Sequence, residues 1–213
     1  MRAGILGGSF NPIHIGHTRL ACAAADELGL EKVLIIPVAE PAHKPSDEML
    51  PADIRFEMCA LACAQDKRLR AVDIELNRWG KSYTYDTVEQ LSRMYPENEW
   101  YFIMGGDMLL TFDSWYRAEN LAKMMTLVAA ARDAGEYSDL QHHADILKKK
   151  MGARVQLLTI PAFEISSTKI REMIPESSEA EHFLYPAVWE YIKENRLYGI
   201  EADDLEGEQD GPR

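Results

Sequence analysis

His14 and His17 stand three residues apart, behind a Gly7-Gly8-Ser9 break and with Gly16 between them. Two imidazoles at that spacing on a helix start can face the same way and donate N–H bonds to one polyphosphate. In isolation such a pair more often means a turn cap and a surface helix residue. Gly7, Gly8, Asn11, Pro12 and Gly16 around it favour the anion-binding reading. A glycine-rich turn between a strand and a helix frees backbone N–H groups to cradle phosphate oxygens, and the helix dipole adds to them. The turn is not GxGxxG, and the chain has no GxxxxGK[ST], so neither the dinucleotide fingerprint nor the P-loop is present.

Near the other end, Ser166-Ser167-Thr168 is followed by Lys169 and Arg171, where a helix should begin. Hydroxyls and free N–H groups at a helix start bind phosphate, and Arg171 adds a fixed cation. Alone, the string is a Ser/Thr cap beside an exposed arginine; together with the two histidines it favours a phosphate site. His43-Lys44 and Arg55 make a second basic set, which by itself reads as solvated surface charge.

These groups need elements to hold them, and helical and strand patterns alternate throughout. Ala3 to Leu6 is a short apolar strand, and the Ala/Leu-rich segment after His17 is a helix that Gly29 ends. Val33 to Val38 is a strand, and Pro51 opens a helix with Ile54, Met58, Leu61 and Ala62 on one face. Leu69 to Leu76 reads as a strand, Asp86 as the cap of a helix through Tyr95, and Trp100 to Met104 as a strand ending at Gly105-Gly106-Asp107. Thr126 to Ala131 is extended, Tyr137 to Lys150 helical, and Val155 to Ile160 extended. Short apolar strands separated by helices predict an α/β fold with a doubly wound, mainly parallel sheet and helices on both faces. Ligands then bind at the carboxyl ends of the strands, where the strand order switches. The polar clusters all follow strand patterns, which points to one composite site: Gly7 to His17, Pro37 to Lys44, Asn77 to Tyr85, Gly105 to Asp107, Arg132 and Ser166 to Arg171.

The 213 residues suit one domain over 1–200, with an acidic, disordered tail expected over 201–213. The net charge of −12 opposes a nucleic-acid groove but permits a small basic pocket. Cys22, Cys59 and Cys63 lack metal-site spacing and read as buried free thiols in a reducing compartment. No apolar run approaches the ~18 residues of a membrane span, and no leader pattern opens the chain, so a cytoplasmic protein is expected.

GGSFNPIHIGH, ending at His17, resembles the first motif of the HxGH nucleotidyltransferase superfamily, and Ile165 to Arg171 (ISSTKIR) resembles its second, ISSTxIR. Glu75 to Thr87 resembles the ELxRxGxSYTxDT segment of one member, the nicotinate mononucleotide adenylyltransferase family. Phe102 to Leu110, continuing to Trp115-Tyr116, is similar to that family's FxxGxDxL…W segment. With the Val188 to Tyr198 ending, the likeness runs nearly to Gly199.

The resemblance implies a Rossmann-like fold and transfer of adenylyl from ATP to nicotinate mononucleotide, giving deamido-NAD and pyrophosphate. It implies catalytic roles for His14, His17, Lys44 and Arg171. Gly8, Ser9, Phe10, Gly106, Asp107, Arg132, Ser167 and Thr168 would bind ATP, with Gly106 and Asp107 at the ribose and Arg132 at adenine. Lys44, Thr84, Trp115 and Tyr116 would bind the acceptor: Lys44 its phosphate, Thr84 and the Tyr116 backbone the pyridine substituent, Trp115 the ring face. Mg²⁺ would travel with the ATP phosphates, with no protein-only metal site. ATP and nicotinate mononucleotide are the expected partners, without nucleic acid or membrane; a homo-oligomer stays open. Asn11 stands where the family usually has Asp, the Asn often found after the second strand is missing, and Gly106 stands where Ala is common. Two alternatives remain: another HxGH transferase, with a nicotinamide mononucleotide or phosphopantetheine acceptor or a cytidylyl donor, and a non-catalytic nucleotide-binding regulator.

Overall fold

In a computed structural model, which describes residues 1–41, 49–160 and 165–200, six strands form one parallel sheet. They are β1 (Arg2–Gly8), β2 (Lys32–Pro37), β3 (Leu69–Ala71), β4 (Glu99–Gly105), β5 (Met125–Ala131) and β6 (Arg154–Thr159). Their order is β3-β2-β1-β4-β5-β6. The order reverses between β1 and β4, where Ala3 pairs with Lys32 on one side and Trp100 on the other. A crevice opens at such a reversal beyond the carboxyl ends of the strands. The expected doubly wound sheet is found, and it is parallel throughout rather than mainly so.

Alternate side chains of each strand feed two cores, as the two-residue strand period requires. Leu6, Val33, Ile35, Ile103 and Val128 point to the face covered by α1 (Ile15–Leu28), α2 (Ala52–Cys63), α7 (Ser167–Met173) and α8 (Pro186–Glu194). Ile5, Ile36, Phe102, Leu127 and Ala129 point to the other face, covered by α3 (Thr84–Met94), α5 (Ala118–Met124) and α6 (Ala134–Met151). The five-residue α4 (Gly106–Leu110) sits directly at the end of β4.

Four boundaries differ from the sequence expectation by three residues or more, and the others by one or two. The helix expected after His17 starts at Ile15, so His17 lies in its first turn. The strand expected to reach Leu76 stops at Ala71, and the chain turns through Leu76 N–H to Asp73 carbonyl and Arg78 N–H to Glu75 carbonyl bonds. The α3 helix begins at Thr84 with Tyr83 before it, so Asp86 is a first-turn carboxylate rather than the cap. The α6 helix begins earlier than Tyr137 because Asp133 caps it, accepting from Glu136 N–H at 2.8 Å.

The three cysteines are free thiols, Cys59 and Cys63 buried. No helix among the described residues is long and apolar enough to cross a membrane. Lys44, His43 and the acidic tail expected over 201–213 lie outside the described residues.

Candidate active site

The turn after β1 is built on an aromatic prop. Phe10 is 2% exposed and adopts φ 46°, which turns its ring back over Gly8. A Cβ at Gly8 would come within 3.1 Å of that ring, so close approach rather than backbone conformation favours glycine there. The Phe10 ring also meets His17 edge-on, with centroids 5.0 Å apart. The Phe10 side chain thus lies against both Gly8 and His17, and its backbone is part of the turn expected to bind ATP.

His14 precedes α1 in extended backbone, and its N–H donates to His17 Nδ1 at 3.1 Å. Because Nδ1 accepts, His17 carries its proton on Nε2, which leaves that N–H as a donor. The two rings lie 3.7 Å apart, too close for both to be cationic. Burial pushes His14 down to about 4, and burial followed by the neighbouring His14 holds His17 well below the ordinary imidazole range. Both are therefore neutral N–H donors near pH 7. His14 Nδ1 is buried with no partner among the described residues.

These shifts link folding to pH. An unfolded histidine takes up a proton near pH 6.5, whereas folded His14 does so only near 4. Between those values the unfolded chain binds more protons, so this stability is complete above about pH 6.5 and is lost as pH falls toward 4. Thermal unfolding across that range should therefore show a falling midpoint, and His14→Gln should flatten the fall. Parallel curves for the two proteins would remove His14 from the linkage.

The α7 helix closes one side of the turn. Arg171 Nη1 donates to the Asn11 carbonyl at 2.9 Å and Nη2 to Thr168 Oγ1 at 3.5 Å. Ser167 Oγ donates to the Pro12 carbonyl at 2.8 Å, so its hydroxyl, expected on the triphosphate, is engaged within the protein. Ser166 caps α7 by accepting from Lys169 N–H at 3.2 Å. Asn11 Oδ1 accepts from the Tyr198 hydroxyl at 2.9 Å and from Leu50 N–H at 3.3 Å. Burial raises the Tyr198 phenol, so it stays protonated and donates. Position 11 thus serves as an acceptor, which an amide oxygen satisfies as well as the family's usual carboxylate.

Arg55 is not the surface charge that its sequence context suggested. It is wholly buried in α2, and its guanidinium donates to four carbonyls: Leu50 at 2.8 Å, Ser9 at 2.7 Å, Val38 at 2.7 Å and Ala39 at 3.4 Å. One side chain therefore ties the turn after β1 to the segment after β2 and to the approach to α2.

Between those segments and α3 lies a cavity of about 260 Å³. Gly7, Gly8 and Ser9 of the histidine turn form one wall, Ser82, Tyr83, Thr84 and Thr87 another, and Phe102, Trp115 and Tyr116 a third. Trp115 is half-buried, edge-on to Phe102 at 5.8 Å, while Tyr116 is 45% exposed and rests 4.7 Å from Tyr83. Trp115-Tyr116 is thus a platform anchored in the core on one side. Among the described residues no side-chain bond caps the start of α3, where the Asp86 and Thr87 N–H groups turn back to the Tyr83 carbonyl and the Thr84 and Tyr85 N–H groups lead the helix. Where the family often carries Asn, the wall is apolar, with Val38 and Pro41.

Beyond β5, the backbone N–H and Nε of Arg132 donate to Glu136 Oε2 at 2.6 and 3.0 Å, and its Nη2 donates to Oε1 at 3.0 Å. This bonding raises the Arg132 guanidinium and lowers the Glu136 carboxyl relative to their ordinary values. A Cβ at Gly106 would fall 2.9 Å from Glu136 Oε1 and 3.0 Å from Leu140, so an alanine there would have to displace the end of the Glu136 side chain. Asp107 follows in the first turn of α4. Arg132 and Gly106 are thus linked through Glu136, which the sequence did not single out.

The structure brings His14, His17, Arg171, Ser167 and Thr168 around one turn, and Thr84, Trp115 and Tyr116 around the adjoining cavity. Arg55, Tyr198, Glu75 and Glu136 are site-building residues that sequence reasoning missed as such.

A cytidylyltransferase-like family model matches residues 5–173. A protein of Lachnoclostridium phytofermentans described as a probable nicotinate-nucleotide adenylyltransferase is 36% identical over 92% of this chain and 98% of its own. One of Listeria monocytogenes, with the same description, is 39% identical over 93% and 97%. The Plasmodium falciparum nicotinic acid mononucleotide adenylyltransferase, solved as complexes with APC and with NaAD, superposes with TM-scores of 0.75 and 0.74. At 18 and 17% identity over 94% of this chain and 98% of that one, the likeness shows the shared fold. The chain belongs to the cytidylyltransferase-like family and, within it, to the nicotinate-nucleotide adenylyltransferases.

Proposed function

We infer that the protein adenylylates nicotinate mononucleotide with ATP, releasing pyrophosphate and deamido-NAD. One observation carries this most directly: a ring-sized aromatic cavity shares Gly8 and Ser9 with the histidine turn. A pyridine nucleotide seated in that cavity would present its phosphate to an ATP held along the turn. The acceptor phosphate oxygen attacks the α-phosphorus as the bond to pyrophosphate breaks, so no protein nucleophile is consumed. The chain's part is positioning and charge stabilisation.

Neutral His14 and His17 donate N–H bonds to the phosphates, and Arg171 supplies fixed positive charge. Lys44 would hold the acceptor phosphate on the strength of the family likeness. Among the described residues no group of three His, Cys, Asp or Glu side chains could hold a metal ion. Mg²⁺ bound to the ATP phosphates would supply charge screening there. Thr84 and the uncapped α3 start offer donors to the substituent, which favours a carboxylate over an amide.

Pyrophosphate release, measured with Mg²⁺ and each acceptor in turn, tests the reading. Nicotinate mononucleotide should give the highest kcat/KM, and Thr84→Val should narrow its lead over nicotinamide mononucleotide. Equal values in the native protein would overturn the acceptor assignment. Release with phosphopantetheine alone would indicate another transferase, and release with none a binding protein.

A further inference from the structure

Among the cavity-lining side chains of the described residues, Glu75 alone carries a formal charge, and that charge is negative. Glu75 is 7% exposed and lies in the turn after β3. Its Oε1 accepts from the Thr87 hydroxyl at 2.6 Å. Arg78 donates to the same hydroxyl at 2.7 Å, and its Nη2 stands 3.9 Å from Oε1. The other oxygen, Oε2, is buried and has no partner among the described residues. A buried carboxylate oxygen without a donor, in a residue that lines an aromatic cavity, is costly unless positive charge nearby offsets it.

An anionic acceptor head alone would be repelled there. The head of a pyridine mononucleotide is different, because its ring nitrogen is quaternised by the ribose and the ring carries a positive charge. We propose that Glu75 is the counter-charge for the acceptor's pyridinium ring, so that the cavity selects a cationic ring over a neutral one of the same shape. The inference rests on the acceptor class inferred above and adds the residue that reads its ring charge.

Nicotinate mononucleotide is then read at two poles. The ring cation lies among Trp115, Tyr116 and Tyr83, whose faces favour a cation, with Glu75 lining the same cavity. The substituent is read by Thr84 and the start of α3. Glu75 therefore contributes to affinity for both mononucleotides and not to the choice between them. The ring charge does not change during phosphoryl transfer, so the contribution appears in KM and not in kcat.

The test is Glu75→Gln, which keeps an oxygen for the Thr87 hydroxyl and removes the charge. Three acceptors are compared: nicotinate mononucleotide, nicotinamide mononucleotide, and a C-nucleotide 5′-phosphate bearing a neutral benzoate ring. KM for both pyridinium acceptors should rise about tenfold, as expected for losing one partly desolvated charge contact. The benzoate acceptor, kcat and the ATP KM should all stay within about twofold. An equal loss for the benzoate acceptor, or no loss for any, would overturn the proposal, since a purely structural role weakens all three alike. If the variant does not fold, the native protein still decides: it should favour nicotinate mononucleotide over the benzoate analogue by about tenfold, and equal KM values would refute the role. Failure of the native protein to use any pyridinium acceptor would instead refute the function.

Discussion

Replacing His17 with alanine lowers kcat with ATP and nicotinate mononucleotide by about 10²- to 10³-fold, the usual loss for one oriented donor facing developing charge. His17 stands in the first turn of α1, pressed by Phe10 and oriented by the His14 N–H to Nδ1 bond. Its free Nε2–H therefore points without needing to reorganise. Alanine removes that donor and leaves the His14 N–H without its acceptor, at a cost of about 1 kcal/mol, too little to unfold the domain. His17→Asn can still accept from His14 and offers a shorter amide donor, so it should recover part of the rate. Steady-state kinetics and far-UV circular dichroism check this together. Near-normal turnover in the alanine variant, or loss of its helical signal, would remove His17 from the transition state.

The parts of this site that sequence revealed are those whose partners lie close along the chain. A strand, a glycine-rich turn and two histidines within seventeen residues announce a phosphate cradle, because strand, turn and helix start are all local events. The sorting of polar clusters behind strand ends revealed the crevice before its topology was known. What stayed hidden depends on distant partners. Arg55 stands between Asp53 and Glu57, as an arginine on a solvated helix face would, and its acceptors are carbonyls as far as 46 residues away. Tyr198 reaches Asn11 across 187 residues. Glu75 was visible within a motif, yet only the fold puts it on the wall of an aromatic cavity. Even β3 was overestimated, since the Leu69 to Leu76 segment read as a strand continues into a turn at the end of the strand order, where β2 is its strand partner among the described residues.

Arg55 supplies the second large effect. A buried guanidinium is retained only where its donors are used, and here they hold the Ser9, Val38, Ala39 and Leu50 carbonyls together. Burial lowers the Arg55 pKa from its ordinary value, but an arginine stays charged near neutral pH, so the interaction is between a cation and fixed dipoles. Arg55→Met fills a similar volume and leaves those carbonyls without that donor in the interior. The loss in unfolding free energy should be about 3–5 kcal/mol, the range for removing one partner of a buried charged network. Arg55→Lys keeps the charge but cannot span three segments from one ammonium, so it should recover less than half. The same clamp fixes Ala39 and Leu50, the anchors on either side of the segment that carries Lys44, and Ser9 and Val38 on the cavity wall. The acceptor KM should therefore rise in the lysine variant while the ATP KM changes less. Urea unfolding and acceptor kinetics on the two variants measure both consequences. A methionine variant within about 1 kcal/mol of the native protein would show that the carbonyls find other donors and that Arg55 does not hold the site together.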